Sequence, residues 1–121
     1  MTDLNVQEIK AFVPATDFAR SKQFYQDLGF TLASDGGGIA YLHLGVASFL
    51  LQDFSAPGFA ENFVMHLLVS DVDAWWQQVQ ASGVCERYQV KCTAVQLQAW
   101  GMRDFCVYDP SGVLWRIAQN C

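Results

Sequence analysis

The strongest constraint on this chain is an internal repeat. Displacing the sequence by 54 positions lays Thr16-Asp17 on Ser70-Asp71, Gln23 on Gln77, Gln26 on Gln80 and Gly29 on Gly83. Identity is low, but the punctuation agrees. In each copy a residue able to cap a helix precedes an amphipathic run, and a glycine able to end the helix follows it. The first run carries Phe18, Ser21, Phe24, Tyr25 and Leu28, and the second Val72, Trp75, Trp76 and Val79, both at helical spacing. At 121 residues there is room for one hydrophobic core. The expected organisation is therefore a single domain, residues 1–121, made of module one (about 5–54) and module two (about 62–121).

Extended segments surround each helix. In the first module these are Gln7 to Val13, ended by Pro14, then Phe30 to Ser34, Ala40 to Leu44 and Ala47 to Gln52, separated by Asp35-Gly36-Gly37-Gly38 and by Gly45. In the second they are Phe63 to Val69, Tyr88 to Val95, Phe105 to Tyr108 and Val113 to Gln119, the last two flanking Asp109-Pro110-Ser111-Gly112. Phe54 to Asn62, with Pro57 and Gly58, reads as the linker. The order strand, helix, three strands occurs twice, which makes this an α+β chain of two βαβββ modules.

Composition removes several functions. A formal net charge of −5, with only 7 Lys and Arg and no cluster among them, argues against nucleic acid, whose affinity for proteins is mostly phosphate neutralisation. No apolar run approaches the roughly 20 residues that cross a bilayer. The polar Met1 to Lys10 stretch shows no secretory pattern, so a cytoplasmic location is expected. Cys85, Cys92, Cys106 and Cys121 form no CxxC pair and no Cys/His ligand spacing, and reduced thiols are the expectation.

Val13-Pro14-Ala15-Thr16-Asp17-Phe18, Phe24-Tyr25-Gln26-Asp27-Leu28-Gly29-Phe30 and Asp109-Pro110-Ser111-Gly112-Val113-Leu114-Trp115-Arg116 resemble the glyoxalase, bleomycin-resistance and extradiol-dioxygenase (vicinal oxygen chelate) superfamily. Leu97-Gln98-Ala99-Trp100-Gly101 and the terminal Ile117-Ala118-Gln119-Asn120 look closest to its bleomycin-resistance members. The resemblance implies a mixed sheet curled into an incomplete barrel, a cup. Exposed strand edges and an apolar sheet face predict a homodimer with cups built from both modules.

Metal-dependent members of that superfamily carry His or Glu at four strand positions facing the ion. Position by position, the slots fall on Lys10, on Val64, somewhere in Phe49 to Gln52, and on Arg116. None supplies a ligand, and two cations would repel a divalent ion. No metal and no cofactor are expected, and no catalytic residue is assigned. His66, two residues after Val64, is expected as a buried, hydrogen-bonded cup or core residue rather than as a ligand.

With nine Phe, four Tyr and four Trp against two His, stacking is better supplied than acid–base chemistry. Trp100 is the expected stacking wall, with ordinary packing the alternative, and Phe12, Tyr41 and Phe63 are further wall candidates. Lys10 and Arg116 either meet an anionic ligand inside the cup or pair with Glu8 and Asp104. The expected function is a metal-free binding protein of the bleomycin-resistance type that sequesters an aromatic or amphipathic, negatively charged molecule, not a polycation like bleomycin. The alternatives are a glyoxalase- or dioxygenase-like enzyme, metal-dependent or with His66 as general base, and an interaction module whose cup is vestigial.

Overall fold

A computed structural model describes residues 2–121. Its elements in chain order are β1 (Phe12–Ala15), α1 (Phe18–Leu28), β2 (Thr31–Gly36), β3 (Ile39–Leu44), β4 (Ala47–Asp53), a 3-10 turn at Ala60–Asn62, β5 (Val64–Leu68), α2 (Val72–Ser82), α3 (Val84–Arg87), β6 (Gln96–Leu97), β7 (Met102–Tyr108) and β8 (Leu114–Asn120). Two four-stranded mixed sheets result, ordered β1-β4-β3-β2 and β5-β8-β7-β6. In each the first strand runs parallel to the last, and the hairpin neighbours are antiparallel. No ladder joins the two sheets among the described residues, so one chain supplies two separate walls and no closed barrel.

The repeat predicts the helices well because their ends are chemically marked. Asp17 accepts from the Arg20 amide at 3.1 Å, and Asp71 accepts from the Ala74 amide at 3.0 Å. Gly29 (φ 130°) and Gly83 (φ 68°) end the two helices at positive φ, which glycine adopts without a Cβ clash.

The first strand differs from expectation. It covers Phe12–Ala15 rather than Gln7 to Val13, and residues 2–11 lie outside any strand. Pro14 does not end it, because β1 is an edge strand bonded only to β4. The Ala11 and Ala15 carbonyls face β4, accepting from Leu50 and Phe54, so the missing Pro14 donor falls on the open side.

The second correction lies between α2 and β6. Phe12 pairs with Leu50, while its counterpart His66 pairs with Arg116, 66 rather than 54 positions after Leu50, so the second module carries 12 extra residues. Instead of a strand over Tyr88 to Val95 there are α3 and an irregular stretch closed by a Cys85–Cys92 disulfide with Cα atoms 6.3 Å apart. Reduced thiols were the wrong expectation for this pair. The turn after α3 brings together two cysteines whose seven-residue separation matches no familiar redox motif. Cys106 and Cys121 are free.

The insertion is anchored on both sides. Tyr88 stacks edge-on against Phe24 at 5.3 Å, donates to Asp27 at 2.5 Å and receives the Arg20 guanidinium over its ring at 4.9 Å. Beyond Cys92 the chain lies along β7, with the Tyr108 amide donating to Lys91 O and the Thr93 amide to Cys106 O, both at 2.9 Å.

The core joins the modules. Tyr25, Phe30, Phe49 and Trp115 form one buried aromatic group with ring centroids 4.8–6.0 Å apart. Much of the aromatic supply is thus committed to packing rather than to a ligand wall. Among the described residues no helix is long and apolar enough to cross a membrane.

Candidate functional site

The stretch read from sequence as a turn, Asp109-Pro110-Ser111-Gly112, is a structural joint. Gly112 (φ 100°) adopts a backbone conformation strained for any side chain, and a Cβ there would press on the Glu61 Cγ at 3.3 Å. The buried Asp109 accepts from the Tyr25 hydroxyl at 2.6 Å and from the Ser111 and Val113 amides at 2.9 Å each. Trp115 Nε1 donates to the same Tyr25 hydroxyl at 2.8 Å. Burial raises the Asp109 carboxyl above its ordinary value against the pull of these donors. Ser111 accepts from the Thr16 amide at 2.9 Å and so ties the end of β1 to this turn. The joint fixes where β8, and hence Arg116, stands relative to the first module.

Strand alternation gives each sheet one face toward the helices and one open face. On the first sheet Phe12, Leu50 and Tyr41 are register partners and share the open face, with Phe12 51% exposed. Lys10 sits over the Tyr41 ring at 5.2 Å. Glu8 accepts from Ser48 at 2.5 Å, from Tyr41 at 3.0 Å and from Lys10 at 3.2 Å, which together hold its carboxyl below the usual range. Glu8, Tyr41, His43 and Ser48 line a concavity of about 430 Å³ here.

On the second sheet His66, Arg116 and Cys106 are register partners, with Val64, Leu114 and Tyr108 in the row beside them. Trp100, in the turn between β6 and β7, is 61% exposed, and the Arg116 guanidinium lies 5.9 Å from its ring centroid. Arg116 pairs with Asp104 at 3.0 Å, and Gln98 donates to the other Asp104 oxygen at 2.8 Å. The turn itself is closed by the Gln98 amide on Met102 O at 2.7 Å and the Gly101 amide on Gln98 O at 3.2 Å.

The expected site residues therefore fall into two groups. Lys10, Phe12 and Tyr41 gather on the first sheet, and His66, Arg116 and Trp100 on the second. Phe63 joins neither. Alternation along β5 turns Phe63, Met65 and Leu67 toward the core, and Phe63 packs edge-on against Phe59 at 5.7 Å. His66 is exposed rather than buried, on the edge strand β5, and lines a cavity of about 300 Å³ with Glu8, Ile9 and Ser48 of the first module. Both cations have found the carboxylates that sequence alone named as alternatives, Glu8 and Asp104. The charge that an anionic ligand would need is thus balanced within the protein. Sequence reasoning placed Leu114 beside Arg116 on this face but not Cys106 and Tyr108, for which the alternation in β7 was the available signal.

The superfamily metal positions hold Lys10, Val64 and Arg116, and Leu50 faces the same side as Phe12 within the remaining slot. These side chains do not fit a divalent ion. Among the described residues no group of three or more His, Cys, Asp or Glu side chains converges elsewhere.

Residues 8–117 match the family model described as Glyoxalase/Bleomycin resistance protein/Dioxygenase superfamily. A bleomycin resistance protein of Klebsiella pneumoniae is 30% identical over 113 residues, covering 89% of this chain and 88% of that protein. The crystal structure of a bleomycin-binding protein complexed with bleomycin superposes with a TM-score of 0.80 at 27% identity, over 96% of this chain and 100% of that one. An antibiotic-binding protein from Streptomyces sp. CB03234 shares the fold, with a TM-score of 0.77 at 23% identity, over 98% of this chain and 100% of that one.

Proposed function

The chain belongs to the glyoxalase/bleomycin resistance protein/dioxygenase superfamily, and on that premise we propose that it sequesters a planar, aromatic or amphipathic small molecule without chemical change. The observation that carries this is Trp100, a large ring left 61% exposed at a closed turn with a paired cation behind it. A bare tryptophan held in place offers a ligand stacking area at little entropic cost. Sequestration needs such a surface and a few polar anchors, and no reacting groups. Binding proceeds without metal, a reading supported by the side chains at Lys10, Val64, Leu50 and Arg116.

Metal-free bleomycin is the first ligand to try, given the relatives. Titration by intrinsic fluorescence should show saturable binding to the native protein, and Trp100→Ala should weaken it at least about tenfold, the effect of removing a central aromatic anchor. Binding of unchanged strength in Trp100→Ala, or no rise in melting temperature with bleomycin or a panel of planar antibiotics, contradicts the proposal.

We also propose a homodimer that completes each cup from two walls. Support comes from β1 and β5, each bonded on one side only, and from Leu4, Val6, Ile9, Val64 and Leu68, apolar side chains left exposed. Light scattering at micromolar concentration should return twice the 13.5 kDa chain mass, and the monomer mass is the contrary result.

A further inference from the structure

We infer that Asp104 sets which ligand charge the Trp100 face accepts, by neutralising Arg116 and fixing the turn that presents the ring. The inference rests on the reading of that face as the ligand surface. Asp104 is only 2% exposed although it lies on the open side of β7. Each of its oxygens has one donor, Gln98 from the turn and Arg116 from β8. Its carboxylate therefore links three things: the strand, the turn that carries Trp100, and the cation that sits against Trp100.

The arrangement filters ligands. Arg116 keeps 34% of its side chain exposed, enough for a ligand to reach, but an anion that reaches it must compete with a carboxylate already in place. A neutral or cationic planar molecule can stack on Trp100 and leave the ion pair whole. The other titratable groups on this face are His66 and Cys106, beside Arg116 in register, and Tyr108 in the next row, with Lys91 over the Tyr108 ring at 5.8 Å. None of these is a carboxylate, so Asp104 is the one carboxylate among the described residues that balances the Arg116 charge directly. It is a positioning and specificity-determining residue, not a group that must touch ligand.

Two fluorescent probes of opposite charge test this on the full chain at low salt: the anilinonaphthalene sulfonate anion and the proflavine cation. Asp104→Asn, nearly isosteric, should strengthen sulfonate binding about fivefold and weaken proflavine by a similar factor, the scale of one partly exposed charge pair. Arg116→Gln should shift the ratio of the two affinities the opposite way, and the double variant should restore the wild-type ratio. A role in folding alone would move both probes in the same direction. Parallel changes for the two probes, with Trp100→Ala still weakening both, overturn the inference and leave the ligand face standing. Probe binding that ignores Trp100→Ala in the wild-type background overturns the face and the inference together. Should Asp104→Asn fold poorly, the ratio in Arg116→Gln decides alone, because an unshifted ratio there contradicts the proposed balance.

Discussion

Asp109→Ala is expected to destabilise the protein by about 4 kcal/mol, from the loss of hydrogen bonds to a charged group and from the buried donors left behind. The Tyr25 hydroxyl and the Ser111 and Val113 amides all point at that carboxylate, and all three residues are buried. The loss reaches both modules, because Tyr25 lies in α1 and the turn in the second half of the chain. Asp109→Asn should cost far less, about 1–2 kcal/mol, since one oxygen can still accept from both amides and only the Tyr25 contact is disturbed. Urea melts of the two variants measure this. A loss below about 1 kcal/mol for alanine would show that the joint does not hold the modules together.

The same joint makes the protein sensitive to alkali. Tyr25 is held well above its ordinary value, first by complete burial and then by the adjacent Asp109 charge. In the unfolded chain it ionises near pH 10, while in the folded protein it stays neutral well above that. A group whose folded value is raised gives stability that is whole below its unfolded value and lost as pH climbs toward the folded one. Unfolding free energy should therefore fall by about 1.4 kcal/mol for each pH unit above 10 on account of Tyr25. Tyr88, pushed up to about 12 chiefly by burial and then by the Asp27 hydrogen bond, adds a loss of the same sign between pH 10 and 12. Tyr25→Phe should start less stable at neutral pH, with the Trp115 indole and Asp109 each missing a partner, yet decline less steeply. Equal slopes in wild type and Tyr25→Phe between pH 10 and 12 would remove Tyr25 as the cause.

How much of this could be read from the residues depends on whether a local signal existed. Helix ends were legible at Asp17, Gly29, Asp71 and Gly83 because caps are short-range chemistry. The strand over 88–95 was misread because Tyr88 and Val90 alternate as a strand would, while a disulfide and the docking of Tyr88 on α1 decided the matter over long range. Burial of aromatic rings was equally illegible. Phe30, Phe49 and Trp115 look no different in sequence from Phe12 and Trp100, and only packing assigns the first three to the core. At the candidate site Trp100 stood out through its turn and its resemblance. The pairing of Lys10 with Glu8 and of Arg116 with Asp104 required side-chain positions, and it removes the two free cations on which the expectation of an anionic ligand rested.

All four cysteines lie in the second half of the chain, and the Cys85–Cys92 bond holds the strip of backbone that borders β7. Closing so short a loop stabilises a fold by about 2 kcal/mol, mainly by restricting the unfolded chain, and such bonds persist in oxidising surroundings and are reduced in the cytosol. The two halves, alike in topology, thus answer differently to their surroundings. The first is indifferent to the thiol balance around it. The wall carrying Trp100 and Arg116 is bordered by a segment whose tether that balance can open, so the host and compartment in which the protein is made enter directly into the firmness of the face proposed to take ligand.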